Sequence, residues 1–286
     1  MEFMMKKTIA LTLAAMSFCA LAADDAVEDA PNMGSPTEVY TYLGASYGTE
    51  GANLKGMMAL SEDKGEYAQK SGILFEVKNI FNEGDKNDKF GGIEYGLYPD
   101  GSVGPVGTKT KGKASNRSYR LRYGTINTKN GLGFSVDAVF ADHPFFGSTS
   151  VIQAGPVATI PVGDKILIWP ILYVGGVIMD DNIQDLNPEW PDSSSSGVDI
   201  ASTIGTAMVY VNWKFTDKWW MLASYRYTME LNGKSWDDDV ADGGLQMDAT
   251  EFEVSVAYQL TKKQNVRTYY STAKNDSFWV EYNYAF

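Results

Sequence analysis

The chain has 286 residues, of which 44% are hydrophobic and 13% aromatic, and its formal net charge at pH 7 is −12. This acidic balance argues against nucleic acid as a partner, because phosphate binding needs clustered lysine and arginine. Cys19 is the single cysteine. A disulfide within the chain is therefore excluded, and strand pairing and side-chain packing must hold the fold together.

The amino-terminal residues have the pattern of a cleavable signal peptide. Lys6 and Lys7 precede the apolar run "TIALTLAAMSFCALA", and Ala-Leu-Ala at 20–22 offers a small-x-small cleavage site. The apolar run is too short for a spanning helix with ordinary flanks. We therefore assign residues 1–22 to a signal peptide and 23–37 to a segment that precedes the first strand. The exported chain then contains no cysteine.

Alternation of apolar and polar residues predicts about twelve strands in the rest of the chain. A typical example is the stretch around Phe252, Val254 and Val256, whose apolar side chains share one face. The predicted strands cover 38–48, 71–81, 89–97, 117–127, 132–140, 149–161, 165–179, 201–214, 219–231, 249–260, 265–273 and 277–286. The longest apolar run, 166–179, is interrupted by proline and glycine and is read as a strand.

The predicted connections alternate between short turns and long loops. The short turns, at 82–88, 128–131, 162–164, 216–218 and 261–264, are rich in Gly, Asn, Asp and Lys. The long loops lie at 49–70, 98–116, 180–200 and 232–248, all on the opposite side. Such segregation is typical of a barrel with long outer loops and short inner turns. The count stays open, since an extra arm at 54–60 gives fourteen strands and a merger of weak strands gives ten.

The final stretch, "DSFWVEYNYAF", separates into two faces. One face carries Phe278, Val280, Tyr282, Tyr284 and Phe286, while Trp279, Glu281 and Asn283 lie on the other. An aromatic last residue is unusual for an exposed terminus, which is generally polar and frayed. Either lipid surrounds the aromatic face, or the strand is buried in the core of a soluble secreted β protein.

The signal peptide, the alternating strands and the terminal "YNYAF" resemble the Gram-negative outer-membrane β-barrels. The resemblance implies an all-β, antiparallel up-and-down transmembrane barrel over 38–286, with residues 23–37 and both termini in the periplasm. It implies that Tyr282, Tyr284 and Phe286 carry the signal read by the barrel assembly machinery. It also implies that outer-membrane lipid and lipopolysaccharide surround the wall. The particular family and the oligomeric state stay open.

The face opposite the lipid would line the lumen, and it carries charges of both signs. The candidates are Glu76, Lys78, Glu94, Arg120, Arg122, Asp137, Arg226, Glu253, Arg267 and Glu281. A two-residue turn at Asn130-Gly131 would place Arg122 diagonal to Asp137. These charges either neutralise one another and stiffen a hydrated wall, or form a constriction that selects solutes by size and sign.

The strands at 149–161 and 165–179 depart from this pattern because both of their faces are apolar. A two-residue turn at Gly163-Asp164 would turn Trp169 and Tyr173 to the lipid and Leu172 and Val174 to the lumen. This wall would then pack against an inward-folded loop or against residues 23–37. Alternatively, Pro156 and Pro170, which cannot donate to a ladder and would lie almost opposite each other, mark a lateral seam for an apolar molecule.

The loops give weak evidence for metal binding or catalysis. Loops 180–200 and 232–248 are strongly acidic and would enrich cations at the mouth, whereas 98–116 is basic. Ala241 stands where a calcium loop beginning at Asp237 would need a ligand, so no metal site and no cofactor are predicted. His143, the single histidine, could act with Ser148 or Ser150 in a hydrolase. No recognisable pattern supplies the orienting group, so no catalytic residue is predicted.

The sequence therefore predicts a passive, porin-like channel for small hydrophilic solutes, with a mild preference for cations. One alternative is a non-conducting structural or surface-interaction barrel. Another is a barrel that handles an apolar ligand through the wall at 149–179.

Overall fold

A computed structural model describes residues 33, 38–63, 65, 68–81, 88–113, 117–143, 147–179, 199–233, 249–272 and 276–286. The described residues form fifteen β-strands. Across these same ranges, no helix has the length and apolar character needed to cross a membrane. The predicted signal peptide at 1–22 lies outside the described residues.

The strands have the following bounds: β1 Tyr42–Gly48, β2 Gly51–Glu62, β3 Gln69–Ile80, β4 Asp88–Leu97, β5 Val103–Lys113, β6 Ser118–Asn127, β7 Leu132–His143, β8 Gly147–Ala158, β9 Ile160–Val162, β10 Ile166–Met179, β11 Asp199–Lys214, β12 Trp219–Gly233, β13 Ala249–Thr261, β14 Gln264–Ser271 and β15 Ser277–Ala285.

Twelve strand positions form a closed antiparallel barrel, as predicted. Closure occurs where β1 pairs with β15, with Tyr42 opposite Ala285 and Gly48 opposite Trp279. The short strand β9 continues β8 along β10, so β8 and β9 share one position in the wall. A closed sheet leaves no unpaired edge, which is required in hydrocarbon because lipid offers no hydrogen bonds to the backbone.

The predicted number of strands is correct, but one strand was assigned to the wrong residues. The loop predicted over 49–70 contains β2, which pairs with both β1 and β3. The predicted wall strand at 89–97 is β4, which does not belong to the barrel sheet. Glycines and methionines in β2 weaken its alternation, whereas β4 carries the aromatic and apolar residues typical of a strand.

The strands β4 and β5 form a separate two-stranded sheet within the connection from β3 to β6. The predicted loop 98–116 therefore consists largely of β5. The predicted turn 82–88 lies outside the described residues except for Asp88, where β4 begins. The hairpin turns at Asp100, Gly101 and Ser102. The hydroxyl and amide of Ser102 donate to Asp100 Oδ1 at 2.6 and 2.9 Å, and these bonds lower the pKa of the Asp100 carboxyl.

The two ends of the barrel differ. We call the end where β1 begins and β15 finishes the terminal end. The connections 128–131, 163–165, 215–218 and 262–263, all short, lie there. The hairpin β4–β5 belongs to the opposite end, which we call the loop end. The strands flanking 180–198 and 234–248 also end there, and those two segments lie outside the described residues.

Side chains alternate between a lipid-facing surface and the lumen. On β15, Phe278 and Val280 are 49% and 45% exposed, whereas Glu281 and Asn283 are buried inside the barrel. Trp213 and Trp219 are exposed beside the terminal-end turn at 215–218. These indoles stand where an aromatic girdle meets the lipid–water boundary.

The predicted faces of β10 are inverted. Val162 pairs with Ile166, so the connecting turn contains three residues, Gly163–Lys165, instead of two. A shift of one residue exchanges the two faces of a strand. Trp169 and Tyr173 are therefore buried in the lumen, while Leu172 and Val174 are each 60% exposed towards the lipid. The wall is apolar on both faces, as predicted. Along β10, however, the residues predicted to face the lipid face the lumen, and the reverse.

The two prolines of this wall lie near each other without being direct partners. Val157 pairs with Ile171 and Ala154 pairs with Val174, and Pro156 lies between Ala154 and Val157 on β8. Pro170 pairs on its other side with Val209 of β11. The lateral seam therefore stays a prediction.

The close approach of β8 to β10 predicts that Gly155 is sensitive to substitution. A Cβ on Gly155 would lie 2.0 Å from the carbonyl oxygen of Leu172, whereas the nearest atom to a Cβ on Gly124 is 3.7 Å away. We expect Gly155→Ala to lower the temperature at which the folded barrel loses its fast migration on a gel. Gly124→Ala, also in the lumen, serves as the matched control and should not change that temperature. Equal temperatures for both variants would contradict the close β8–β10 contact.

Candidate functional site

The centre of the lumen is a cavity of about 330 Å³ lined mainly by charged and aromatic side chains. Among the described residues, six basic and four acidic side chains line it. They are Lys55, Lys78, Arg120, Arg122, Arg226, Arg267, Glu76, Glu251, Glu253 and Glu281. Charges of both signs around one cavity make the centre of the barrel hydrated and polar, in contrast to its outer surface.

The structure brings the sequence-predicted lumen residues together, with one exception. Glu76, Lys78, Arg120, Arg122, Arg226, Glu253, Arg267 and Glu281 line the cavity, and Asp137 lies buried against the arginines. Glu94 is the exception, because it belongs to β4 of the hairpin and not to the barrel wall. Whether these residues act as a constriction stays a prediction.

Asp137 is the centre of the first charge cluster. Arg122 pairs directly opposite it on the neighbouring strand, instead of diagonally as the predicted turn implied. Arg120 donates from Nε and a terminal nitrogen to the two carboxylate oxygens, at 2.8 and 2.6 Å. Arg122 donates to Oδ2 at 3.1 Å, and Gln153 approaches the same oxygen at 3.4 Å. One carboxylate thus serves two guanidinium groups, which leaves one positive charge uncompensated within the cluster.

Glu281 is the centre of a second cluster that spans the closure of the barrel. Lys55 Nζ on β2 lies 2.6 Å from its Oε2, and Asn283 donates to its Oε1 at 2.7 Å. Arg267 on β14 pairs directly opposite Glu281, with its Nε 3.9 Å from Oε1. Side chains of β14, β15 and β2 are therefore linked to one another, with β1 lying between β15 and β2.

Gly44 makes this second cluster possible. It lies on β1 between Lys55 and Asn283, which pair with it from either side. A Cβ at Gly44 would lie 2.1 Å from Oδ1 of Asn283. The bare backbone at this position lets both neighbouring side chains reach Glu281.

Aromatic rings border the second cluster. Tyr269 and Trp279 are stacked, with centroids 5.1 Å apart and an interplanar angle of 8°. Lys55 Nζ lies 5.2 Å from the Tyr269 centroid, and the Arg267 guanidinium lies 4.5 Å from that of Trp220. Aromatic faces attract cations, so these rings hold the basic side chains against the wall.

Residues that precede β1 lie inside the barrel. Met33 is buried, and its carbonyl accepts a hydrogen bond from Arg267. The amide of Asn265 also approaches the Met33 sulfur, at 3.3 Å. Val39 packs on the opposite side, against the apolar cluster that includes Ile126. Met33, the described residue of the segment 23–37, lies in the lumen. The assignment of the rest of that segment to the periplasm stays a prediction.

The sequence missed Lys55 and Met33 for different reasons. Lys55 fell within the predicted loop 49–70, although Leu54, Gly56 and Met58 alternate with it in the period of a strand. No pattern around Met33 points to the lumen, because its position depends on contacts with Arg267 and Asn265.

Several predicted features lie wholly or largely beyond the described residues. The acidic loops 180–200 and 232–248 are described only at their ends, where they join the strands. His143 ends β7 and pairs with Gly147, while Ser148 lies opposite Asp142. These positions do not test whether His143 takes part in catalysis.

The barrel is similar to solved outer-membrane proteins. An outer-membrane channel from Pseudomonas putida F1 matches with a TM-score of 0.50 and 12% identity, over 90% of this chain and 99% of that chain. The NanC porin matches with a TM-score of 0.46 and 6% identity, over 86% and 98% of the two chains. The β domain of the Bordetella autotransporter BrkA matches with a TM-score of 0.45 and 10% identity, over 87% and 100%.

The match to the Pseudomonas channel shows the fold alone, which is a closed antiparallel β-barrel of the outer-membrane type. No protein-family model matches the chain, and a search of curated proteins finds no relative in sequence. The function must therefore be argued from the lumen itself.

The Asp137 cluster predicts unequal losses of stability when two lumen carboxylates are neutralised. Asp137 is fully buried, so Asp137→Asn should lower the free energy of unfolding by about 3 kcal/mol, as for other broken buried ion pairs. Glu251 pairs with the half-exposed Arg226. Glu251→Gln should therefore cost less than about 1 kcal/mol. Urea unfolding of the refolded barrel in detergent, followed by tryptophan fluorescence, measures both changes.

A double variant provides the control. Arg122→Met added to Asp137→Asn removes one of the two facing guanidinium groups and should recover part of the lost stability. Equal losses for the two single variants would contradict a special role for the Asp137 cluster.

Proposed function

We propose that this outer-membrane barrel is a narrow passive channel for small hydrophilic solutes. The observation that carries the proposal is the charged cavity of about 330 Å³ at the centre of a closed wall. This volume is at the lower end of the range of about 300–1,000 Å³ found for small-molecule sites. Only small solutes would pass, and ten charged side chains would replace part of their hydration.

The proposed selectivity has two contributions at different positions along the channel. The acidic loops 180–200 and 232–248 favour cations near the mouth, which supports the predicted mild preference. With the buried Asp137, the described lining of the cavity has six basic and five acidic side chains, an excess of one positive charge. We propose that the mouth favours cations in dilute salt and that the cavity opposes this preference.

Ionic strength separates these contributions. The Debye length falls from about 10 Å at 0.1 M to about 3 Å at 1 M, so salt screens the loops more than it screens the side chains that touch the solute. We expect the cation-to-anion permeability ratio, from reversal potentials in planar bilayers, to fall as salt is raised. Replacing Asp237, Asp238 and Asp239 together by Asn should lower the ratio in dilute salt alone. A ratio independent of salt would contradict the proposed division.

The second candidate is a non-conducting barrel with a structural or surface-interaction role. It is favoured by Met33 and Val39, which occupy the lumen from the terminal end. Exposed apolar side chains on the hairpin β4–β5, including Leu97 and Val103, also fit a surface-interaction role.

Single-channel recording distinguishes the two candidates. A passive channel gives steady open conductance from barrels whose heat-modifiable migration proves that they are folded. Silence from equally well-folded barrels favours the second candidate. Deleting residues 23–37 should raise the conductance in either case, since the deletion removes Met33 from the lumen and releases its hydrogen bond with Arg267.

A further inference from the structure

A smaller pocket opens beside the charged cavity, on the side of β6, β8 and β10. Its volume is about 100 Å³. Its apolar lining comes chiefly from Val39, Ile126, Val157, Trp169 and Ile171. Trp169 is fully buried. The apolar wall predicted from the sequence therefore lines a defined space inside the barrel.

The pocket and the charged cavity are adjoining spaces. Met57, Leu74, Arg122 and Tyr210 line both of them. A solute in the cavity can therefore place an apolar part in the pocket while its polar part stays among the charges.

Arg122 provides the polar contact at this boundary. Asp137 accepts two hydrogen bonds from Arg120 but only one from Arg122. Within the described residues, Nε of Arg122 is buried without a hydrogen-bond partner. The guanidinium thus keeps an unpaired N–H, and its positive charge suits a carboxylate.

The rest of the pocket offers little to a second polar group. Glu38, the acidic residue among its described lining, lies 3.7 Å from Lys70. The hydroxyl of Ser135 is hydrogen-bonded to that of Tyr173. An apolar cavity of about 150 Å³ holds benzene, so this smaller pocket suits a short alkyl chain.

We propose that Arg122 and the pocket together bind a small monocarboxylate with a short alkyl chain. The carboxylate accepts hydrogen bonds from Arg122, and the chain lies against Ile126, Val157 and Trp169. This inference rests on the proposed channel function, because it names a class of solute for the same lumen.

Hexanoate and acetate are suitable probes, because they share a carboxylate and differ in their alkyl chains. Calorimetric titration of the folded barrel in amphipol, with empty amphipol as the blank, measures binding of each. Hexanoate should bind at least about tenfold more tightly than acetate, since burial of the additional methylenes is favourable. Equal affinities for the two probes would overturn the proposal.

Two variants test the two halves of the site. Arg122→Met should abolish hexanoate binding. Gly124→Leu should fill the pocket, because Gly124 lines it and a Cβ there meets no atom closer than 3.7 Å. This second variant keeps Arg122 and should reduce the affinity for hexanoate to that for acetate. If Arg122→Met does not fold, Gly124→Leu still tests the proposal on its own.

Arg226→Met is the matched control. It removes the same charge from the cavity, but Arg226 lies with Glu251 and does not line the pocket. Hexanoate binding should be retained, and a loss as large as that of Arg122→Met would overturn the assignment. Binding that appears only after residues 23–37 are deleted would also overturn it, because the chain itself would then be the occupant.

Binding and conduction are measured independently. Hexanoate binding by a silent barrel would support this site and contradict the proposed channel. Conduction without hexanoate binding would support the channel and overturn this site.

Discussion

The pairing of β1 with β15 is the constraint on which the rest of the structure depends. In hydrocarbon, every backbone N–H and C=O must find a partner within the protein, and a sheet meets this condition only by closing on itself. Closure fixes the register of all strands around the wall. Because side chains alternate with a period of two, the register also decides which residues meet lipid and which meet the lumen.

Closure brings distant parts of the sequence to one place. Lys55 and Glu281 are separated by most of the chain, yet they form an ion pair of 2.6 Å because β1 alone lies between their strands. The same cluster extends through Arg267 to Met33. The lumen charges therefore link β2, β14 and the last strand, β15, to Met33, which precedes the first strand. A polar interior can thus stabilise a barrel whose outer surface gains little from packing.

Much of the fold could be predicted from the sequence, because the alternation of apolar and polar residues identifies a strand even where its boundaries are placed wrongly. Arg122 was predicted diagonal to Asp137, whereas the two residues are direct partners. A shift of two residues preserves the face, so both side chains were still assigned correctly to the lumen. A shift of one does not preserve it, and the extra residue in the turn Gly163–Lys165 inverted β10. The site was harder to predict, since Lys55 lies on a strand with weak alternation and Met33 is held by tertiary contacts alone. The pocket beside Arg122 depends on the true faces of β10 and could not be found without them.

The hairpin β4–β5 has a consequence for how this protein can vary. Its two strands form a sheet of their own, and their ladder is not part of the closed wall. Changes of length or sequence there leave the register of the barrel untouched, unlike a single added residue in a wall turn. The closed wall can therefore tolerate diversification, or accept a grafted peptide, at this hairpin while the lumen stays unchanged.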